Sequence, residues 1–582
     1  MPRLRALQKA TSLHDLAVIL NYSPANLAYL VYKKGGKYSS FQIPKKNGTA
    51  RDILAPCDEL KALQRKVKDL LDDCLASIER KNSPLGSLSH GFKTGHSIAT
   101  NAEPHRKRLY VFNVDIKGFF DSIHLGRVRG FLINNNDFKL NAKVATVLAQ
   151  IMCHDDKLPQ GSPSSPVASN LIGHLIDIRL VQLAKKLGCT YSRYADDITF
   201  STNKAVFPQE IAYRLDDTHH WIPGNSLLKV IYKSGFGLNH EKTRMQYARG
   251  QQTVTGLVVN SFTNTPAVFR RKVRAMTHKL FLDGEYYVHE DSGPGSPVKV
   301  ELNRDKLGRL EGMYSYIYMV DRFNRQKIVD NSNRRHEDFP LSALNRLHGD
   351  FLFYKNFYAS PLPTIVCEGK TDNIYLSCAM KSLHAKFPRL AKVDASGKMK
   401  LRVRFMNYSE LTHRVMGLSG GSSDLGHLIR RYAKQCAIYK AHPPLHPTII
   451  VVDNDSGSQP IFQAIKDVTG NTYTIPAGKG RIFDKGQTLY KVAQNLYVVL
   501  TPLIGGKDSM MENFFPLKVL QKTYNGKPFE VLKPGPKGTT YSKHQFSQHI
   551  VKPNQKTISF SGFAPILKSI NLAIRDYPKI KL

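Results

Sequence analysis

The stretch SRYADDITFS (residues 192–201) places two adjacent aspartates, Asp196 and Asp197, between short runs that contain β-branched and aromatic residues. Such a pattern predicts a strand, a turn and a second strand, with both carboxylates in the turn. Like charges that lie side by side repel each other, and a bound cation would relieve the repulsion. The plain alternative is a solvated Asp-Asp turn, because Tyr-x-Asp-Asp should recur by chance in about one protein of this size in twenty.

A third aspartate follows a buried strand further upstream. In LYVFNVDIKGFFDSI (109–123), Asp115 comes directly after the apolar segment VFNV. Nucleotidyl transfer uses two divalent metal ions, one for the attacking 3′-hydroxyl and one for the leaving pyrophosphate. Mg²⁺ prefers hard oxygen ligands, so such a site needs carboxylates at strand ends that are close in space. Asp115, Asp196 and Asp197 are therefore a candidate catalytic and metal-ligating set.

The composition is typical of a folded protein with a polyanionic partner. The 582 residues carry a formal net charge of +38, and 41% of them are apolar. A charge of this size repels itself, and the interleaved aromatic residues and arginines favour nucleic acid over an anionic membrane surface. No apolar run reaches the roughly 18 residues of a membrane span, so no membrane partner is expected. Seven scattered cysteines without a Cys-x-x-Cys pair fit a reducing cytoplasm.

The character of the sequence changes near residue 360. Residues 265–350 are predicted to be helical and basic, with a loop at Asp283–Pro297. Pro361 and Pro363 then interrupt the chain, and predicted strands and helices alternate from TIVCEG (364–369) onward. Alternation of this kind predicts an α/β domain with a parallel sheet.

Five motifs, in order along the chain, resemble those of the reverse transcriptases. They are IPKKNGTARDI (43–53), VDIKGFFDSI (114–123), LPQGSPSSPVASN (158–170), YADD (194–197) and GFGLNHEKT (235–243). The resemblance implies a right-hand fold of palm, fingers and thumb that copies RNA into DNA from deoxynucleoside triphosphates. It also implies that Asp115, Asp196 and Asp197 hold two Mg²⁺ ions.

The same resemblance assigns residues around the incoming nucleotide. Phe120 lies five residues after Asp115, where the family keeps a bulky ring against the 2′ position of the sugar; an ordinary core aromatic is the alternative. Lys45 and Arg51 match cations that close over the triphosphate. Because Lys46 is adjacent, the register between the two lysines stays open.

Three further residues match the family near its substrates. Gln160 and Gly161 lie in the motif whose loop packs on the nucleotide and the template. Lys242 matches a lysine near the leaving pyrophosphate, although a solvated surface lysine is an equal alternative.

Two short signatures on either side of the palm motifs look like those of retron reverse transcriptases. They consist of Asn101, Ala102, His105, Val254, Thr255 and Gly256. LGRLEGMYSYI (307–317) is similar to the thumb of that group. The resemblance implies a cognate structured non-coding RNA, an RNA–DNA hybrid, and a branched multicopy single-stranded DNA product made in defence against phage. The basic 265–350 region suits RNA binding, and a charged helix surface is its alternative reading.

A second acidic constellation lies in the C-terminal third. Glu368 follows the strand of TIVCEG, and Asp453 and Asp455 follow that of PTIIVVDNDSG (447–457). Strand-Glu-Gly followed by strand-Asp-x-Asp resembles the TOPRIM domain of topoisomerases, primases and OLD-family nucleases. The resemblance implies that Glu368 is a general acid or base. It also implies one or two Mg²⁺ ions on Glu368, Asp453, Asp455 and Glu512, the last in MMENFFP (510–516).

The predicted fold is therefore multidomain, with α+β and α/β parts. Residues 1–262 would form fingers and palm, 263–358 a basic helical thumb and linker, and 359–582 a TOPRIM-like domain with a C-terminal extension. Three functions stay open: a retron reverse transcriptase with a nuclease effector, the same polymerase with a non-catalytic TOPRIM binding module, and a primase-like DNA-processing enzyme. The sequence predicts no particular oligomeric state.

Overall fold

The computed structural model describes residues 2–33, 35–44, 50–81, 88–215, 220–288, 298–300, 304–335, 338–470, 472–473, 481–482, 484–532, 535–536 and 538–578. These residues form two compact units. One comprises the described residues up to Phe269 together with Met319–Ser332, and the other comprises those from Arg270 to Tyr318 and from Asn333 onward. None of the helices in this part of the chain combines the length and the apolarity that a membrane crossing requires.

The first unit begins with helices and a hairpin. The elements are α1 (Pro2–Lys9), α2 (Leu13–Leu20), α3 (Pro24–Tyr32), β1 (Tyr38–Pro44), β2 (Ala50–Pro56) and α4 (Asp58–Lys81). Ser12 caps α2 by accepting a hydrogen bond from the backbone of Asp15, which explains why the helix begins there. β1 and β2 pair antiparallel and form a hairpin. Its turn, which includes Lys45, lies outside the described residues.

The core of the first unit is an antiparallel sheet covered by helices. The next elements are α5 (Ile98–Ala102), β3 (Tyr110–Lys117), α6 (Leu125–Asn134), α7 (Ala142–Met152), α8 (Ser165–Leu187), β4 (Thr190–Tyr194), β5 (Asp197–Thr202), β6 (Ala212–Arg214), β7 (Trp221–Pro223), α9 (Asn225–Lys233), β8 (Gly237–Tyr247), β9 (Thr253–Val254) and β10 (Leu257–Val258). The described strands of the main sheet follow the order β4-β5-β3-β8. Apolar side chains of α6, α7 and α8 pack with β3 and β5 in one buried cluster. The centre of the sheet is therefore rigid where β3 and β5 meet.

The basic region is largely helical, as predicted. Its elements are α10 (Ala267–Asp283), β11 (Tyr286–Val288), β12 (Val298–Val300), α11 (Arg304–Asp330) and α12 (Ala343–Phe353). The expected loop at Asp283–Pro297 is wrong in part, because Tyr286–Val288 pairs antiparallel with Val298–Val300. Tyrosine and valine favour strands, and a partner beyond the polar stretch lets them pair.

The second unit contains a mixed sheet. Its elements are β13 (Thr364–Cys367), α13 (Asp372–Ser382), β14 (Ala391–Val393), β15 (Met399–Leu401), β16 (Arg404–Phe405), α14 (Glu410–Met416), α15 (Ser422–Cys436), β17 (Thr448–Val452), α16 (Gln459–Thr469), β18 (Thr472–Tyr473), β19 (Arg481–Ile482), β20 (Leu489–Ala493), β21 (Leu496–Leu500), α17 (Leu517–Leu520), α18 (Lys543–Gln545) and α19 (Ala564–Asp576). The described strands follow the order β16-β13-β17-β21-β20. β13 runs parallel to β16 and β17, β17 runs parallel to β21, and β20 is antiparallel to β21. The carboxyl ends of β13 and β17 therefore meet at one edge of the sheet.

Candidate functional site

The three predicted aspartates of the first unit come together at a hairpin turn. Tyr194 pairs with Asp197, which leaves Ala195 and Asp196 as a two-residue turn between β4 and β5. Asp115 lies directly opposite Asp197 on the neighbouring strand β3. Two strands and one turn thus place three carboxylates at the same end of the sheet.

The charges of these carboxylates are only partly offset. Asp115 is 5% exposed, and its Oδ2 accepts a hydrogen bond of 2.9 Å from the ammonium of Lys242. Burial, together with repulsion from Asp196 and Asp115, raises the pKa of Asp197 to about 6. The pKa of Asp196 is also raised, by burial and by Asp115. The cluster therefore favours an added positive charge.

The donor atoms suit Mg²⁺, but Lys242 holds one of them. Carboxylate oxygens are the ligands that Mg²⁺ prefers, and the raised pKa values of Asp196 and Asp197 fit a site that gains from a cation. As they stand, no three or more His, Cys, Asp or Glu side chains within the described ranges are arranged to hold a metal ion. A metal ion on Asp115 would therefore use the other carboxylate oxygen or replace the ammonium of Lys242 at Oδ2.

A buried ion pair supports the turn from behind. Arg193, which is 0% exposed, donates hydrogen bonds of 2.7 Å to both carboxylate oxygens of Asp177. It also donates to the carbonyl of Ala195 at 2.9 Å, the residue that adopts a left-handed backbone with φ of 56°. Tyr191 donates to Asp177 at 2.6 Å. A Cβ at Gly173 would lie 2.6 Å from the Arg193 guanidinium, so the glycine makes room for it.

A second support comes from the segment before α5. A Cβ at Gly91 would lie 2.7 Å from the backbone nitrogen of Ala195, so only a glycine lets this segment approach the turn so closely. Asn170 donates to the carbonyl of Gly91 at 2.8 Å and accepts from the hydroxyl of Ser89 at 2.9 Å. Helix α8 therefore fixes the segment that the catalytic turn rests on.

The predicted substrate residues lie around this turn. Arg51 is exposed on β2, and its charge lowers the pKa of Asp196, opposing burial. The carbonyl of Gln160 accepts a hydrogen bond of 2.8 Å from the backbone of Leu54. Gly161 has φ of 126°, and a Cβ there would lie 2.7 Å from the Leu54 carbonyl. The Gln160–Gly161 loop therefore packs on the hairpin that carries Arg51.

Phe120 lies in the turn after β3 and is half-buried. Its ring centroid is 5.7 Å from that of Phe119 and 6.3 Å from that of Phe92. The ring therefore neighbours the catalytic strands without being enclosed by the core.

The two short signatures meet inside the first unit. The ring of His105 is bonded to the hydroxyls of Ser201 at 2.7 Å and Ser192 at 2.8 Å, which links β5 to β4. Burial lowers the pKa of His105 to about 3, so the ring is neutral. Thr255 donates to the carbonyl of Ile98 in α5 at 3.0 Å, which joins the second signature to the first.

The other signature residues are mostly interior as well. Asn101, Ala102 and Val254 are all 0% exposed. Both side-chain polar atoms of Asn101 are buried without a hydrogen-bond partner in the part of the chain that the structure describes. Gly256, with φ of 80°, completes the turn between β9 and β10.

Residues 43–259 match the family model described as reverse transcriptase (RNA-dependent DNA polymerase). The chain contains a reverse transcriptase domain. The Retron Mx65 reverse transcriptase of Myxococcus xanthus is 34% identical over 47% of this chain and 63% of that protein. The Retron Mx162 enzyme of the same organism is 32% identical over 55% of this chain and 66% of that protein. The chain thus spans slightly less than two thirds of the length of each.

Two other proteins also align with this chain. The Retron Ec86 reverse transcriptase of Escherichia coli is 29% identical over 59% of this chain and 96% of that protein. Retron reverse transcriptases are therefore homologues of this chain. A telomerase structure from Candida albicans, in complex with a TWJ fragment of telomeric RNA, aligns at 12% identity over 56% of this chain and 61% of that chain, with a TM-score of 0.30. That overlap is too low to bear on the fold.

A second acidic cluster lies at the carboxyl ends of β13 and β17 in the other unit. Ser458 brings Glu368 and Asp455 together, with its hydroxyl 3.4 Å and 3.5 Å from their carboxylates. Asp453 accepts a hydrogen bond of 2.8 Å from the backbone of Met511. The strand ends thus gather the predicted acids, as expected from the parallel pairing of β13 with β17.

Burial and mutual repulsion dominate this cluster. The pKa of Asp453 is raised to about 8 by burial and by the charges of Asp372 and Glu512. Glu512 is 0% exposed; its Oε2 accepts from Lys543 at 3.0 Å, and its Oε1 has no hydrogen-bond partner among the described residues. Glu512 thus has a buried carboxylate oxygen without a hydrogen-bond partner among the described residues, next to Asp453, whose raised pKa favours protonation. Carboxylate oxygens are the donor atoms that a cation such as Mg²⁺ prefers.

Several residues of both clusters escaped the sequence interpretation. Arg193 lies in the SRYADDITFS stretch and Asp177 lies in α8, outside the quoted motifs, and only the fold pairs them; an arginine inside an otherwise buried strand was the one local signal. Asp372 follows Glu368 by four residues at the start of α13, and the sequence pattern assigned it no role. Lys543 has no such signal, because it is far from Glu512 in the sequence.

The Arg193–Asp177 pair should be essential for the stability of the domain. Asp177→Asn leaves the guanidinium of Arg193 buried without a counter-charge, so unfolding should become easier by about 3–5 kcal/mol. Chemical denaturation followed by near-UV spectroscopy measures the change. Arg3→Met is the matched control, because the Arg3–Asp73 pair has the same 2.7 Å length but is 59% and 58% exposed. It should cost less than about 1 kcal/mol, and equal costs for the two variants would contradict the prediction.

The pH dependence of the melting temperature should show how far the buried charge of Asp453 destabilises the folded protein. Because the pKa of Asp453 in the folded state, about 8, lies above the ordinary pKa of an aspartate, this group stabilises the folded state most when the pH is below its pKa in the unfolded chain. That stability is lost as pH rises through about 8. In metal-free buffer, Asp453→Asn should raise the melting temperature relative to wild type more at pH 8.5 than at pH 5.

An exposed aspartate of the same unit supplies the control for this pH test. Hydrogen bonds from Gln463 and Arg430 lower the pKa of Asp467. The stability that its charge contributes is therefore lost only as the pH falls below the ordinary pKa range of an aspartate. Asp467→Asn should change the melting temperature by the same amount at pH 5 and pH 8.5. If the difference in melting temperature between Asp453→Asn and wild type does not grow with pH, the prediction is wrong and neighbouring groups compensate the charge of Asp453.

Proposed function

We propose that this chain is the RNA-directed DNA polymerase of a retron, which makes branched multicopy single-stranded DNA from a structured cognate RNA. The observation that carries the polymerase part is the meeting of Asp115, Asp196 and Asp197 at one end of the β3–β5 pair. The raised pKa values of Asp196 and Asp197 support it, because acids that repel each other gain from metal binding.

In this proposal the three aspartates hold two Mg²⁺ ions, which activate the 3′-hydroxyl and steady the pyrophosphate when bound. Arg51 and Lys45 bind the triphosphate of a deoxynucleoside triphosphate. Lys242 exchanges its bond with Asp115 for one with the pyrophosphate.

Two residues set the shape of the nucleotide site in this mechanism. The ring of Phe120 disfavours a ribose hydroxyl by steric contact, which selects deoxynucleotides. The close approach of Gly161 to β2 keeps the Gln160 loop against the fingers hairpin, so that nucleotide and template meet a preformed surface.

The retron part rests on homology and on the two signatures. The similar proteins of Myxococcus xanthus and Escherichia coli are named retron reverse transcriptases, and the bond from Thr255 to Ile98 joins the signatures in space. The partners would be a cognate non-coding RNA, the RNA–DNA hybrid and the branched product, with the basic 265–350 region binding RNA.

Loss of either turn carboxylate should abolish synthesis. Asp196→Ala and Asp197→Ala should reduce cDNA synthesis on the cognate RNA to below about a thousandth of the wild-type rate, because each removes a proposed metal ligand. Primer extension with labelled deoxynucleotides measures this. Asp121→Ala, which removes a 56% exposed carboxylate from the motif that also contains Asp115, should keep most activity.

Isolation of the nucleic acid that copurifies with the protein tests the retron assignment separately from the polymerase assignment. A branched RNA–DNA molecule would support the retron assignment, whereas only linear DNA would contradict it. Continued synthesis by both aspartate variants would contradict the polymerase site itself.

We further propose that residues 359–582 form a TOPRIM-like, metal-dependent nuclease that acts as the effector in phage defence. The observation that favours it is the cluster of Glu368, Asp453, Asp455 and Glu512 at the carboxyl ends of β13 and β17. Within it, Glu368 serves as general acid or base, since burial and Asp455 raise its pKa toward neutrality. A non-catalytic binding module and a primase-like enzyme are the competing assignments.

The nuclease assignment predicts a selective loss. Glu368→Ala and Asp453→Ala should abolish Mg²⁺-dependent cleavage of DNA while cDNA synthesis continues, because the polymerase aspartates are untouched. Cleavage is followed on labelled single- and double-stranded DNA, and toxicity is followed after phage challenge. Asp467→Ala is the control in the same unit and should cleave normally. Persistence of cleavage in both active-site variants, or its absence in wild type, would refute the assignment.

A further inference from the structure

Phe92 combines two unfavourable features that ordinary folding does not explain. Its backbone is left-handed, with φ of 59°, a conformation that is a clear outlier for a bulky residue. Its ring is 47% exposed, and the side chain does not belong to the hydrophobic core of the first unit or to the partly buried residues packed on it. Asparagine or glycine would fit this position with less strain. Strained residues of this kind cluster at functional sites.

The surrounding chain imposes the position of Phe92. The backbone of His90 donates to the carbonyl of Arg193 at 2.8 Å, and Arg193 donates to the carbonyl of Leu88 at 3.1 Å. Gly91 then touches the backbone of the catalytic turn, and Asn170 holds its carbonyl. The segment therefore reaches Phe92 with its direction fixed, and the left-handed step turns the ring outward.

The ring of Phe92 lies beside two aromatic residues of the proposed active site. Its centroid lies 6.3 Å from that of Phe120, in an edge-on arrangement, and 6.5 Å from that of Tyr194. Phe120 follows Asp115 in the chain, and Tyr194 begins the turn that carries Asp196 and Asp197. The exposed ring of Phe92 thus lies next to the residues that flank the carboxylates.

We propose that Phe92 binds the template–primer: its ring stacks on a nucleobase at the reacting end of the duplex. This inference rests on the proposed polymerase function. A nucleobase is the ligand class that fits, because its π-face matches an exposed ring and stacking accepts any base, as template copying requires. The basic net charge of the chain supplies the phosphate attraction that brings such a ligand to the ring.

Substitution of Phe92 should separate binding from stability. Phe92→Asn removes the ring and relieves the left-handed strain. The dissociation constant for an RNA template annealed to a DNA primer should therefore rise by about 5- to 150-fold, the range of one lost base–aromatic stack. The melting temperature should stay the same or rise. In primer extension the effect should appear in KM for the template–primer, with kcat at saturation largely kept. Phe92→Trp should restore binding.

Two controls make the result decisive. Lys139→Gly relieves the strain of an exposed non-glycine residue with φ of 45°, so it should not weaken duplex binding. Fluorescence anisotropy measures duplex binding without requiring synthesis. A wild-type protein that binds the duplex but never extends the primer would contradict the proposed polymerase function, and the effect of Phe92→Asn on binding could still be measured. Unchanged duplex affinity in Phe92→Asn would overturn the inference. Failure of Phe92→Trp to restore affinity, together with a lowered melting temperature in Phe92→Asn, would assign the ring to packing and overturn it as well.

Discussion

Repulsion between carboxylates that neighbouring strands hold side by side is the constraint on which the first unit depends. The register of β3 against β5 sets Asp115 opposite Asp197, and the turn adds Asp196. Left to itself, a hairpin turn would spread such charges into solvent. The structure prevents this by anchoring the turn through its backbone: Arg193 donates to the carbonyl of Ala195, and Asp177, which lies outside the cluster, balances its charge. The support therefore holds the turn in place and leaves the three carboxylates available for ligands.

The anchor is itself costly, which explains the residues around it. A guanidinium with 0% exposure needs a full set of partners, and Asp177 and the Ala195 carbonyl supply them. Gly173 and Gly91 are small for separate reasons, one to admit the guanidinium and the other to admit the backbone beneath the turn. Strain at Ala195 is the consequence of this close packing, because it lies where two fixed segments meet.

The clusters of both units use lysine in the same way. Lys242 bonds to Asp115 in one, and Lys543 bonds to Glu512 in the other. In each case an ammonium that is about half exposed offsets one carboxylate. The pKa values of Asp196 and Asp197 in one cluster, and of Glu368 and Asp453 in the other, stay raised. A flexible side chain that can move away suits a site that must admit a metal ion or a phosphate, because the charge it leaves behind is then taken up by the ligand.

Local sequence located the strands and turns that carry the acids, but not the contacts that support them. Asp115, Asp196 and Asp197 each follow or interrupt a recognisable strand, and Glu368 and Asp453 follow β13 and β17; their proposed roles came from the motif resemblances. The Arg193–Asp177 pair, the fit of Gly91 and the pairing of Tyr286–Val288 with Val298–Val300 depend on contacts across the fold, which periodicity does not encode.

The interior position of His105 also changes how its signature is understood. Its neutral ring joins Ser192 and Ser201, one on each strand that flanks the catalytic turn. A 0% exposed side chain cannot touch RNA without unfolding its surroundings. The signature therefore acts on the alignment of β4 with β5, and so on the turn carboxylates. In the proposed function, any selection of an RNA partner would have to come from exposed residues such as those of the basic helices.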